Sequence, residues 1–293
     1  MRSTAHARSS AAPAEVSATP RPAATPPGAP AAAPAASHLH ADERQRVVLQ
    51  AADAVWLPTP LAGVQRRWLD HQGGTPVHAT SLVRYARGAQ AGRHVHDGGE
   101  EVLVLEGVLS DETGDHPAGT YLRLPPGSAH APFSRQGCLL YVKRSRFAPD
   151  DQARLRIDTR DPALWQQGGV PGIALLPLHS HGVLRTMLLR SAPNTWFDTH
   201  SHPGGEELLV LDGVLSDDLG RYPRHTWVRS PRWSRHAPYT GAEGALSLIK
   251  LGHLGGAGGT GGPGGPGGPA GATGPGAGPG MGRGAVRGTQ ADG

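Results

Sequence analysis

The sequence predicts an all-β protein built from two tandem jelly-roll-type barrels. Three observations carry that prediction. Residues 94–132 align with 200–238 without a gap, and 23 of the 39 positions are identical. The match continues outside this window with small shifts, so the repeat unit is a whole domain and not a solenoid repeat of roughly 20–50 residues. Inside each unit, short apolar runs such as Val102–Leu105 and Leu208–Leu211 are bounded by Gly and Pro, and no stretch keeps a helical period. Short strands with frequent turns and no helices indicate a sandwich or barrel.

Taken in chain order, residues 1–46 are dominated by Ala, Pro, Ser and Thr with few large apolar side chains. Such a segment cannot bury enough surface to offset its ordering entropy, so it is expected to be disordered. It lacks a signal-peptide apolar core. Its Arg and Ser loosely resemble a transit peptide, but no amphipathic pattern supports that, and the expected location is cytoplasmic. The first barrel is expected over 47–148, with strands near 81–86, 100–106, 119–124 and 138–143. The second is expected over 149–254, with strands near 186–190, 225–230 and 245–250. Residues 255–293 are mostly Gly, Pro and Ala. Three Gly-Gly-Pro triplets there mimic a collagen repeat, but the register fails at Ala270, so a disordered tail is expected.

The run from Glu100 to Glu106 is apolar on both faces, whereas a strand with one solvated face alternates with polar residues. Glu100, Val102 and Val104 share one face, and Leu103 and Leu105 share the other. We expect the valine face to line the barrel and the leucine face to pack on a second sheet or on the sister domain.

Net charge is +4 and the pI about 9.6, yet only two lysines occur, Lys143 and Lys250. The arginines are scattered, so no nucleic-acid surface is indicated. Cys138 is the only cysteine, which excludes intrachain disulfides and cysteine-rich zinc modules. It is expected to be an inert core thiol. No apolar run reaches membrane-spanning length.

The chemistry lies in the repeat. His94-Val95-His96 is followed by Glu100, and His200-Ser201-His202 by Glu206. In each copy a further histidine, His130 or His236, follows 30 residues after the glutamate. A one-residue gap puts two imidazoles on one face of a strand, and three histidines with a carboxylate make a metal-ligand set. The set suits a divalent ion, Zn or Fe first and Mn or Ni also, and the residues do not choose among them. Arg123 and Arg229 occupy equivalent positions before the last histidine. They read as anion-binding groups in the barrel mouth or as surface arginines with snorkelling stems. Tyr121 and Trp227 pair likewise and read as wall packing. His179, His181, His38 and His40 share the two-histidine spacing without a following glutamate and are expected to be solvent-exposed.

These residues resemble the cupin family. Its first motif is matched by Gly88, His94, His96, Glu100 and Gly107, and its second by Gly119, Pro125, Gly127 and His130, with Ser134 where the family has Asn. The second copy keeps His200, His202, Glu206 and His236 but carries Asn194, His225 and Trp233 at three motif glycines. Trp233 is expected to reshape the second barrel's mouth. The motif's spacing to the following glycine selects Glu100 and Glu206 over Glu101 and Glu207, which are left as supporting or interdomain groups. Within the cupins, the run from His94 to His130 is similar to the ChrR-like subgroup. That resemblance implies either a regulatory or sensory metal-binding cupin of the anti-sigma-factor type, or a non-haem dioxygenase of a small oxygenated aromatic or diketone. Sigma-factor binding is not expected, because residues 1–46 hold no cysteine and no helical pattern. A small-molecule ligand and packing of one cupin on the other are the implied partners. If only one site is active, the first set is the expected one.

Overall fold

The computed structural model describes residues 38–73, 77–144 and 147–254. The expected disordered tails lie outside these residues, except for 38–46. There Leu39 forms an isolated β-bridge to His71, with amide bonds of 2.7 and 2.9 Å, so this stretch is placed against the first half instead of being free.

The chain is all-β, two tandem cupin-like halves with the same sheet topology. Among the described residues the only helical turns are the 3-10 turns Ala51–Asp53 and Pro162–Leu164. In the first half the large sheet is centred on Glu100–Asp111, flanked by Cys138–Arg144 and Thr120–Leu124. His78–Tyr85 and Val64–Gly73 extend it on one side. In the second half Glu206–Asp217, Tyr239–Leu251, Thr226–Ser230, Leu184–Ser191 and Ile173–His181 occupy the same places.

Glu100–Asp111 does not stop at Gly107. The glycine takes φ +70°, and a Cβ there would lie 2.1 Å from the Gly137 carbonyl oxygen. The left-handed residue turns the strand through a corner, so Val108–Asp111 leaves the large sheet to pair with Gly114–Pro117. Gly213 does the same at φ +67°.

Each sheet is completed by the other half. Val47–Gln50 runs antiparallel to Thr226–Ser230, and Leu155–Asp158 runs antiparallel to Thr120–Leu124. The first strand of each half therefore closes an edge of its sister, which covers a row of otherwise unpaired backbone groups.

The face alternation of the central strands sorts the core into three clusters. Val102 and Val104 join Val83, Leu122, Leu140 and Val142 inside the first barrel. Leu208 and Val210 join Val228 and Ile249 inside the second. Leu103, Tyr121 and Tyr141 meet Leu209, Trp227 and Leu248 in a cluster shared by both halves. The leucine face thus packs on the sister half, and the valine face lines the barrel. Cys138 is buried in the first barrel, and burial pushes its thiol up to about 11.

Candidate metal centres

The histidines of each half sit on a small sheet of their own. His94–His96 pairs antiparallel with Ser128–His130, with His94 directly opposite His130. His200–Ser201 pairs with Arg235–His236, with His200 opposite His236. Antiparallel register sets the opposite pair side by side, and strand alternation brings the third ring, two residues on, to the same face. The rings of His94, His96 and His130 meet at centroid distances of 4.8–5.0 Å.

In both triads one ligand atom from each histidine lies within 4.8 Å of the others. In the second, His236 Nε2 stands 3.1 Å from His200 Nε2 and 3.3 Å from His202 Nε2. Nitrogens about 2.1 Å from a tetrahedral ion are about 3.4 Å apart, so this spacing fits one ion. Glu206 stands 3.7 Å from His236 Nε2 and 3.8 Å from His202 Nε2. In the first half Glu100 stands 3.5 Å from His96 Nδ1 and lines the same cavity as His94 and His130.

In four of the six rings the second nitrogen faces an acceptor. His94 Nδ1 is 2.9 Å from the Gly92 carbonyl and His200 Nδ1 is 2.8 Å from the Asp198 carbonyl. His130 Nδ1 faces Asp111 Oδ2 at 3.3 Å, and His236 Nδ1 faces Asp217 Oδ2 at 3.7 Å. A carbonyl or carboxylate at Nδ1 holds the ring orientation and leaves Nε2 as the lone-pair donor. His96 Nε2, His130 Nε2 and Glu206 Oε2 are buried with no hydrogen-bond partner. Buried polar atoms are rarely left so, and one divalent ion in each half would satisfy them, the first at His96 and His130 and the second at Glu206. The residues present therefore fit a metal.

Electrostatics agree. Burial, only partly opposed by Glu100, holds His96 down at about 4, and burial likewise lowers His130. Neutral rings are the form that binds metal. Burial also raises Glu100, but the Arg144 guanidinium, whose Nε is 2.9 Å away, and the neighbouring histidines outweigh it and hold the carboxyl below its ordinary value.

Asp111 and Asp217 were not singled out in the sequence, although both close the repeated Gly-Val-Leu-Ser-Asp run. Asp111 also accepts from Thr113 at 2.6 Å and lies 3.1 Å from His116, and Asp217 accepts from the Leu219 amide and from Tyr222. These contacts hold each carboxylate on its histidine.

The paired second glutamates serve the boundary between the halves. Lys143 donates to Glu207 Oε2 at 2.6 Å, and Lys250 donates to Glu101 Oε2 at 2.6 Å. Trp227 and Tyr121 donate to Glu207 and Glu101 at 2.9 and 2.8 Å. The chain's only two lysines thus form reciprocal buried bridges across the pseudo-twofold. Arg123 and Arg229 line no barrel mouth and reach no surface. They share a strand face with Tyr121 and Trp227 and point at the sister half, fully buried. Arg123 bonds Asp151 at 2.6 Å, and Arg229 bonds the Asp42 carbonyl at 2.9 Å beside Asp70. His179 is likewise not exposed. It lies on a strand with its ring 2.9 Å from Asp151.

A family model described as the ChrR Cupin-like domain matches residues 44–148 and again 152–255. The chain belongs to the ChrR cupin-like family. Solved structures share its fold. A provisionally named dioxygenase from Nostoc punctiforme is 15% identical, with a TM-score of 0.61 over 72% of this chain and 83% of that one. The protein Ylba from E. coli is 17% identical, with a TM-score of 0.56 over 71% and 91%. Oxalate decarboxylase from Lactobacillus farciminis is 14% identical, with a TM-score of 0.51 over 70% and 86%. At these identities the likeness shows the fold alone. No curated protein matches the sequence. Among the described residues no helix is long and apolar enough to cross a membrane.

In the second half of this ChrR-like bicupin, the three non-glycine substitutions keep the glycine backbone. Asn194, His225 and Trp233 take φ +56°, +69° and +64°, where Gly88, Gly119 and Gly127 take +76°, +88° and +77°. The Trp233 amide donates to the His202 carbonyl at 3.0 Å, as the Gly127 amide does to His96 at 2.9 Å. Trp233 therefore changes the side chain at the mouth and leaves the backbone course as it is in the first half.

Proposed function

We propose that this bicupin binds one divalent metal in each half and acts as a regulatory or sensory metal protein. His94, His96, Glu100 and His130 would hold the first ion, and His200, His202, Glu206 and His236 the second. The observation that carries the metal reading is the set of buried Nε2 atoms left without partners in a converging histidine triad. When bound, the ion supplies Lewis acidity and a fixed positive charge.

The size of the first barrel's interior supports sensing over turnover of an aromatic. The cavity lined by His94, Glu100, His130 and the barrel valines measures about 30 Å³. An apolar cavity that admits benzene is about 150 Å³, and drug-sized ligand pockets run to several hundred. An oxygenase of an oxygenated aromatic or diketone would have to open this barrel or use the cavity of about 120 Å³ on the other side of His96 and Arg144.

Metal analysis of protein purified without oxygen, joined to X-ray absorption at the bound metal, tests the reading. Two equivalents of zinc coordinated by protein groups alone support it. Iron with exchangeable waters would favour the dioxygenase alternative. A chain that takes up no metal at all would sink both.

A further inference from the structure

The two barrels differ in charge at equivalent positions. Arg66 pairs with Val83 in the first sheet, and Leu175 pairs with the corresponding Leu189 in the second. Arg144 pairs with Glu100, and Leu251 pairs with Glu206. The strand registers therefore place Leu175 and Leu251 where the first half has Arg66 and Arg144.

Both arginines line the cavity that contains His94, Glu100 and His130. Arg144 spends its Nε on Glu100. Arg66 Nε is buried and has no hydrogen-bond partner, and its guanidinium lies 4.6 Å over the Trp68 ring, which fixes its plane. Behind the ligands the halves are alike, since Arg156 reaches Asp111 through His116 and Arg46 stands 3.7 Å from Asp217. The difference in charge is thus the Arg66 and Arg144 pair. A divalent ion with its glutamate leaves a single residual positive charge at the second site. The same ion at the first site adds to two guanidiniums. Excess charge of one sign around a half-buried cavity, with a buried donor unsatisfied at Arg66 Nε, calls for a counter-ion.

We infer that the first barrel, and not the second, holds a small oxyanion between its metal and the Arg66 and Arg144 guanidiniums. The cavity sets the size. At about 30 Å³ it has room for two or three water-sized groups, the metal included, so it admits nothing larger than a planar oxyanion of three or four heavy atoms such as a small carboxylate. Guanidinium recognises such a plane with two parallel hydrogen bonds. This inference rests on the metal reading above and names the ligand class that reading leaves open.

The test uses full-length protein loaded with zinc, its metal content measured first. Calorimetric titration with formate and with nitrate reads anion stoichiometry and affinity. Nitrate ligates metals poorly, so its binding reports the arginines. The Arg66→Leu/Arg144→Leu variant installs the second half's residues, and Arg66→Lys keeps the charge without the fork. One anion per chain is expected, weakened at least tenfold in the double variant and less in Arg66→Lys, with both metals retained in Arg66→Lys, which leaves the Arg144–Glu100 bond in place. Wild-type protein that carries two metals and takes no anion, or two equivalents, overturns the inference while sparing the metal reading. Protein that takes up no metal overturns both.

Discussion

Removing Lys143 is the sharpest test of how the halves are joined. Lys143→Met deletes an ammonium that lies 2.6 Å from Glu207 Oε2, with both side chains 1% exposed. Breaking a buried ion pair from one side typically costs about 3–5 kcal/mol, because the remaining charge is stranded. Glu207 keeps Thr80, Tyr141 and Trp227 at 2.9–3.0 Å, and His253 lies 3.0 Å away. These contacts place the cost at the lower end, about 3 kcal/mol, or about 6–12 °C in Tm for an ordered core of this size. Glu207→Leu should cost more, since it strands Lys143 and several buried donors at once. Differential scanning calorimetry at neutral pH reads both. The exchanged strands also require wild-type halves to melt in one transition. His253 adds a pH signature. Burial, joined by the nearby Lys143 charge and opposed by Glu207, holds it at about 4. Without Lys143 its pKa rises toward the unfolded value, so protonation stabilises the variant relative to wild type, and the deficit narrows as pH falls. A Tm change below about 2 °C, equal damage from the two substitutions, or two separate wild-type transitions would refute the reasoning.

Further outcomes follow from the same contacts. His94→Ala should remove one metal equivalent per chain and leave the second, read by elemental analysis, and loss of both would show that the sites are not separate. Trp233→Gly relieves a left-handed non-glycine residue whose side chain is 64% exposed. It should raise Tm by a few degrees, about 1 kcal/mol, with metal content unchanged. Metal-free protein should lose stability as pH falls from about 6.5 to about 4. His96 is depressed to about 4, so in that window the unfolded chain binds the proton that the folded chain refuses. A flat Tm profile across the window in the presence of chelator would contradict this.

Much of the fold was legible because duplication and face alternation are properties of sequence spacing. The 106-residue offset located both halves, and the valine and leucine faces sorted barrel from interface. The histidine triads were legible for the same reason. Three things were not. The strand exchange depends on which edge is left open, and nothing within Val47–Gln50 says whose edge it meets. Arg123 and Arg229 read as mouth or surface groups because a lone arginine rarely goes inside. Their burial depends on Asp151 and on the Asp42 carbonyl, distant in sequence. Arg66 and Arg144 escaped notice because they lie outside the gap-free repeat, where only strand register reveals their leucine counterparts.

The substitutions between the halves are unevenly placed, and the reason is physical. At the boundary the halves carry matching groups, with Glu101 and Glu207, Lys143 and Lys250, Thr80 and Thr186, and Arg123 and Arg229 in reciprocal places. Each buried charge there is matched by its partner in the other half, so changing one group strands another. At the metal mouths the constraint is looser. A left-handed backbone tolerates Asn, His or Trp at about a kcal/mol each, and an arginine can become leucine if nothing anionic must be held. Glu100 and Glu101 stand at the meeting of these two regimes. Adjacent on one strand, they face opposite ways, the first into the metal cavity and the second into the Lys250 bridge. Any shift of that strand on metal or anion binding must therefore be felt at the boundary between the halves.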